Sequence, residues 1–194
     1  MSLLKNTAKS RSPQECGVQR EREILFAGLA CFVGLVYVAI KLFYQESLIY
    51  IFLLLSVALL FIRYFLGAKI LLKRIKYRIN LTHQAIDIFL TFFLILSIKL
   101  VCLPAAFLLL IALTYFLAAL KHHLILREKR SSLIRKKRTL DIFGGVIFVL
   151  FAIVISLWGF VFWVSLLILI SQIFGFISLF FIKRYICQSV KKYF

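Results

Sequence analysis

The sequence predicts an all-α membrane protein: six transmembrane helices in three antiparallel hairpins, with both termini cytoplasmic. Three observations carry that expectation. The 194-residue chain is 63% hydrophobic and only 16% charged, with a mean hydropathy of +1.03. Its uncharged stretches come in lengths suited to a bilayer. Its 25 Lys and Arg stand against 7 Asp and Glu and gather between those stretches. A soluble domain averages about 45–50% apolar and about 25% charged residues, and its core needs a polar skin. The composition therefore excludes a soluble globule, and equally a disordered chain.

Crossing the hydrocarbon takes roughly 20 residues of helix. The uncharged runs 24–40, 47–62 and 100–120 approach that length, and 142–182 is long enough for two crossings with a turn between them. The run 88–98 is shorter, bounded by Asp87 and Lys99. Six spans follow: 24–44, 47–66, 84–102, 104–121, 141–159 and 162–182. They form one transmembrane domain over 24–182, between a basic N-terminal segment 1–23 and a basic tail 183–194. Each span must be helical, because an unpaired backbone group in lipid costs several kcal/mol. Continuous rather than alternating apolar runs exclude a barrel.

Segment 1–23 is not expected to be a signal peptide, since its polar lead is long and no small-residue cleavage site follows the first apolar run. Ser12-Pro13-Gln14-Glu15 has capping-box spacing with Pro at the first helical position, which predicts a short helix before the first span. Orientation follows from the cations. Nearly all fall in the N-terminal segment, the 63–83 and 121–140 connections and the C-terminal tail. An even number of spans puts those four segments on one side, the cytoplasmic one. The other side keeps Lys41 and Lys99, with Glu46 as an acid either could meet, a pairing worth about 0–1 kcal/mol. The outer connections are short (44–47, around Leu103-Pro104, and 158–162), whereas the inner ones are long and basic.

The hairpins open on a loose echo: Glu23-Ile24-Leu25-Phe26, Asp87-Ile88-Phe89 and Asp141-Ile142-Phe143. An acid in the first turn of a helix is favoured by about 0.3–1 kcal/mol, and Thr139 is placed to cap the fifth helix. Asp87 has a second reading. If its helix starts near Leu81, Asp87 lies inside the span, where an ionisable group marks function.

Between the second and third spans, Leu71, Leu72, Ile75 and Ile79 share one face at helical spacing. Either the second helix runs on or a separate helix lies in the interface. Lys73, Arg74, Lys76 and Arg78, with Arg135, Lys136, Lys137 and Arg138 farther on, would meet anionic lipid headgroups, at roughly 1 kcal/mol each. Nucleic acid is not expected, since no stacking aromatics accompany the charge.

His83 and Asp87 lie one turn apart at one end of the third span, and His122 and His123 close the fourth at the same depth. Together they are the candidate site for a divalent metal or a lipid headgroup. No other cofactor is called for. Gln172 and Ser171, with Asp87, are candidates for a polar pathway or for packing. Gly145, Ala152, Ser156 and Gly159 on the fifth helix, with Ser171, Gly175 and Ser178 on the sixth, predict a close seam between those two. Cys16, Cys31, Cys102 and Cys187 share no CxxC spacing, so neither a disulfide nor a zinc knuckle is expected. Cys187 is a weak palmitoylation candidate. Asn80-Leu81-Thr82 fits the glycosylation pattern but falls on the cytoplasmic side, where it is silent.

No GxxxxGK[ST], HExxH or GxSxG motif occurs. Lys137-Arg138-Thr139-Leu140-Asp141-Ile142 resembles the basic entry to the membrane helix of bacterial phosphoglycosyl transferases over that short stretch. That family's adjacent catalytic Asp-Glu pair has no counterpart here, so its activity is not implied. Three functions stay open. A non-enzymatic role through helix packing, a second copy or a membrane partner is favoured by the scarcity of polar residues in the spans. A small oligomeric transporter or channel would use Gln172, Ser171 and Asp87. A membrane-embedded enzyme or metal protein would use the His/Asp cluster. The Lys-, Ile- and Phe-rich composition favours a bacterial plasma membrane over the alternative, a eukaryotic internal membrane.

Overall fold

A computed structural model describes residues 13–74, 81–128 and 131–191, with side chains over 21–70, 81–127, 131–132 and 134–177. All the regular structure there is helical: α1 (Pro13–Phe43), α2 (Leu48–Arg74), α3 (Leu81–Lys99), a 3-10 turn (Leu100–Cys102), α4 (Pro104–Glu128), α5 (Ser132–Trp158) and α6 (Val161–Lys191). Five helices hold stretches long and apolar enough to cross a membrane: Glu21–Phe43, Leu48–Ile70, Leu81–Cys102, Pro104–Arg127 and Ile134–Trp158. This is the build of an integral membrane protein. Val161–Ile177 of α6 is a shorter apolar stretch among the described residues.

The breaks fall where local chemistry requires them. Pro104 opens α4 at the first helical position, where its missing N–H costs nothing. Gly159 ends α5 at φ 65°, donating its N–H to Ile155 O at 3.0 Å. A side chain there would be strained.

Several elements depart from the sequence expectation. Among the described residues no separate short helix precedes the first span, because α1 runs unbroken from Pro13. α2 runs on to Arg74, as one of the two alternatives read from the sequence had it, whereas α4 and α5 extend so far that only 129–131 separates them. Thr139 does not cap α5. It lies inside the helix and returns its hydroxyl to Arg135 O at 3.1 Å, while Ser131 is the N-cap residue. Glu23, Asp87 and Asp141 are accordingly not first-turn acids. All three sit inside their helices, and all three are buried.

Packing sorts the helices into two leaves. α2 lies between α1 and α6, and α4 lies between α3 and α5. Lighter contacts of α3 with α1 and α2 join the leaves, and an apolar core including Leu53, Leu54, Phe61, Ile98, Phe107 and Ile111 fills the centre. α5 and α6, consecutive in sequence, barely touch. Their small residues serve other neighbours. A Cβ at Gly145 would meet the Phe116 ring of α4 at 2.7 Å, and one at Gly175 would meet the Arg63 guanidinium of α2 at 2.6 Å. The predicted seam between the fifth and sixth helices is therefore replaced by two seams on opposite leaves.

Candidate functional site within the bundle

The sequence places most of its ionisable residues near one end of the apolar stretches, and the structure turns several of them inward. Three polar clusters result.

The first joins the leaves through α1, α2, α3 and α4. Lys121 donates to Asp87 Oδ2, and the two form a buried ion pair. Asp87 is 3% exposed, and its Oδ1 accepts no hydrogen bond among the described residues. Glu23, from α1, faces Asp87, Lys121 and Gln84. Tyr64, from α2, faces Asp87 and Thr91. His83 is buried one turn from Asp87 along α3. Two carboxyls therefore meet across the leaves, with one ammonium nearby that pairs with Asp87.

The second cluster lies within one leaf. Asp141 of α5 accepts from Lys137 one turn earlier, and its Oδ2 stands 2.8 Å from His122 Nδ1 of α4. Lys121 and His122 are adjacent on α4, so that helix holds the acid of α3 with one residue and the acid of α5 with the next. The Lys137 side chain is 37% exposed, long enough to reach headgroups by its stem. Asp141→Asn should destabilise the protein by about 1–3 kcal/mol, the cost of leaving buried partners of a charged group unmatched. Adding Lys137→Met should recover part of that loss, because it removes the stranded cation. Thermal unfolding in detergent reads both changes.

The third cluster again joins the leaves, this time through α2, α4 and α6. Arg63 Nη1 donates to Gln172 Oε1 at 2.5 Å and to Tyr115 OH at 3.3 Å. Gln172 Nε2 donates to the same hydroxyl at 3.4 Å. Gln172 is only 1% exposed. The Tyr115 ring stacks on Phe148 of α5 at 5.3 Å between centroids. Arg63 forms no ion pair among the described residues. An arginine at the centre of a helical span costs about 2.5–3.5 kcal/mol on insertion scales, and such residues mark substrate or ion routes.

Three of the four candidate metal ligands, Asp87, His122 and His123, take separate partners. Lys121 occupies Asp87, Asp141 faces His122, and Arg138 donates to His123 Nδ1 at 3.0 Å. Among the described residues, no three of His, Cys, Asp and Glu come together as a metal site would need. Gln172 belongs to the polar interior, but Ser171 faces outward and bonds Ile168 O at 2.8 Å. Arg135 and Lys136 are exposed, as headgroup contact would require, whereas Lys137 and Arg138 are drawn to Asp141 and His123. The side chains of Lys73, Arg74, Lys76 and Arg78 lie outside the described residues, as do those of Cys16, Ser178 and Cys187 and residue Asn80. Lys41, Glu46 and Lys99 are exposed and form no ion pair among the described residues.

Sequence reasoning missed Arg63, Lys121, Glu23, Tyr64 and Tyr115. Arg63 and Lys121 count among the cations of the basic connections in the sequence, although they fall at the ends of the spans 47–66 and 104–121. The signal lay in the apolar residues that continue beyond each of them: Tyr64-Phe65-Leu66 and Leu124-Ile125-Leu126. No protein-family model matches the chain, and no curated protein or solved structure is detectably similar to it.

Proposed function

We propose that the chain is a small multi-pass membrane transporter in which two three-helix leaves move against each other around polar groups held between them. One observation carries this reading: Glu23 and Asp87, on opposite leaves, meet inside the bundle beside Lys121, which pairs with Asp87. Two carboxyls and one ammonium leave one negative charge over, which a proton or a monovalent cation can balance. Carboxylates facing each other inside spans are the usual equipment of proton and ion relays. Secondary transporters commonly place such groups at the interface between two bundles that rock. The inward turn of so many ionisable residues weighs against a purely structural role, since apolar packing alone would hold helices together at lower cost.

The topology proposed with it has six crossings and both termini in the cytoplasm of a bacterial plasma membrane, supported by the basic connections. The exposed cations would rest on anionic lipid. The apolar groove beside α1, lined by Phe32, Val33, Val36, Tyr37 and Ile40, would be filled by acyl chains or a second copy.

The test uses purified protein in liposomes carrying an internal pH dye, with a potassium diffusion potential imposed. A parallel set measures radiolabelled sodium uptake. The native chain is expected to move one of the two ions, and Glu23→Gln and Asp87→Asn are each expected to reduce that movement by about tenfold or more, the cost of losing one charge-assisted contact. Proton and sodium movement both at the level of empty liposomes would overturn the reading.

A further inference from the structure

The geometry points to a second site in the bundle, a binding site for an oxyanion at Arg63, Tyr115 and Gln172. It deepens the transporter reading by naming the chemical class of the cargo, and depends on that reading only for the claim that the anion moves.

Among the described residues the guanidinium has no counter-ion. Both hydrogen-bond acceptors that Nη1 reaches, Gln172 Oε1 and Tyr115 OH, are neutral. The buried acids lie elsewhere: Asp87 pairs with Lys121, Asp141 with Lys137 and His122, and Glu23 faces Asp87.

Donor counting at Tyr115 gives an independent pointer. Its oxygen receives Arg63 Nη1 at 3.3 Å and Gln172 Nε2 at 3.4 Å. Neither of those groups can accept, so the phenolic proton is left to donate to a further acceptor. A guanidinium and a phenol side by side, both donating, match a phosphate or carboxylate group.

Gly175 shows that the chain leaves room for this arrangement. A Cβ there would stand 2.6 Å from Arg63 Nη1 and 2.7 Å from Cζ, so any larger residue would push the guanidinium aside. The site is also reachable. Arg63 is only half-buried, and the site lies between α2, α4 and α6. The anion could be a free solute or the headgroup of an acidic lipid entering sideways, and the two sources share one recognition chemistry.

The experiment separates them. In the first arm, protein in phosphatidylcholine nanodiscs is titrated with inorganic phosphate and the unfolding midpoint is followed. In the second, phosphatidylglycerol is mixed into the nanodiscs and lipid retention is read by native mass spectrometry. Binding is expected in one arm, and that arm names the source. Arg63→Gln should weaken it about tenfold or more, the loss of a charge-assisted hydrogen bond. Gly175→Ala keeps the charge but displaces it, and Tyr115→Phe keeps the ring but removes the donor. Both should weaken binding too, and they stand in if Arg63→Gln does not fold. No binding in either arm, or binding unchanged in the folded variants, would overturn the proposal. Anion binding without ion movement in liposomes would leave this site standing and remove the transport reading instead.

Discussion

Replacing Lys121 by Met is expected to cost more folded protein than any other single substitution in the polar interior. The change keeps the length and apolar stem of the side chain and removes only the ammonium. Asp87, 3% exposed, then faces Glu23, 9% exposed, with no cation between them. Breaking a buried pair by deleting one partner typically costs about 3–5 kcal/mol, because the remaining charge stays buried and uncompensated. Asp87→Asn in the same chain should restore much of the loss, since it removes the charge that was stranded. Glu23→Gln should restore less, because Glu23 lies at the edge of burial. Unfolding midpoints by size-exclusion thermal shift give the three values. A Lys121→Met protein as stable as the native chain would show that the ammonium does not bind Asp87. The prediction also sets Lys121 apart from Lys137, whose half-exposed side chain can turn away when Asp141 is neutralised.

The contrast between those two lysines shows what was legible beforehand. The helical class, the membrane lengths and the short connections at 44–47, Leu103-Pro104 and Gly159 follow from uncharged runs and from Pro and Gly at the breaks. These are properties of a stretch, and the sequence displays stretches directly. The polar interior is a property of pairs of helices. Lys121 looks much like Arg127 in the sequence, yet one is buried against Asp87 and the other is exposed. Only the phase of α4 against α3 separates them. Asp141 misled for a related reason. Its helix begins ten residues earlier than the apolar run suggests, because Arg135, Lys136 and Lys137 are good helix formers despite their charge.

The small residues show the same limit from the other side. Gly145 and Gly175 were legible as places of close approach, and they are. What they approach was not legible, since sequence neighbours make the natural guess and α5 and α6 have gone to different leaves. That separation is what puts Gln172 of α6 beside Tyr115 of α4, and it gives the interior its two inter-leaf clusters.

The second large effect belongs to the apolar half of the bundle, at the crossing of α1 and α2. Gly34→Ala adds one methyl group. On the backbone as it stands, that carbon would lie 2.5 Å from Cε1 and 2.6 Å from Cε2 of Phe61. Phe61 is fully buried, packed in the core with Leu53, Leu54 and Val57, so the ring has nowhere to retreat and the helices must separate. Overpacking of this kind costs about 1–3 kcal/mol. It outweighs the gain of up to about 1 kcal/mol that Ala brings over Gly inside a helix. At Gly67, also inside α2, an added Cβ would meet nothing within 4 Å. There the propensity gain acts alone, and Gly67→Ala should be neutral to stabilising. Opposite signs for one chemical change at two helical glycines isolate the packing contribution. The compensating variant makes the argument stricter. Phe61→Leu opens a cavity and is destabilising by itself, yet combined with Gly34→Ala it should cost less than the two single effects added together, because the new methyl occupies part of the vacated volume. Additivity across that pair would mean that α1 and α2 do not cross at Gly34 and Phe61, and the leaf built on α2 would have to be redrawn.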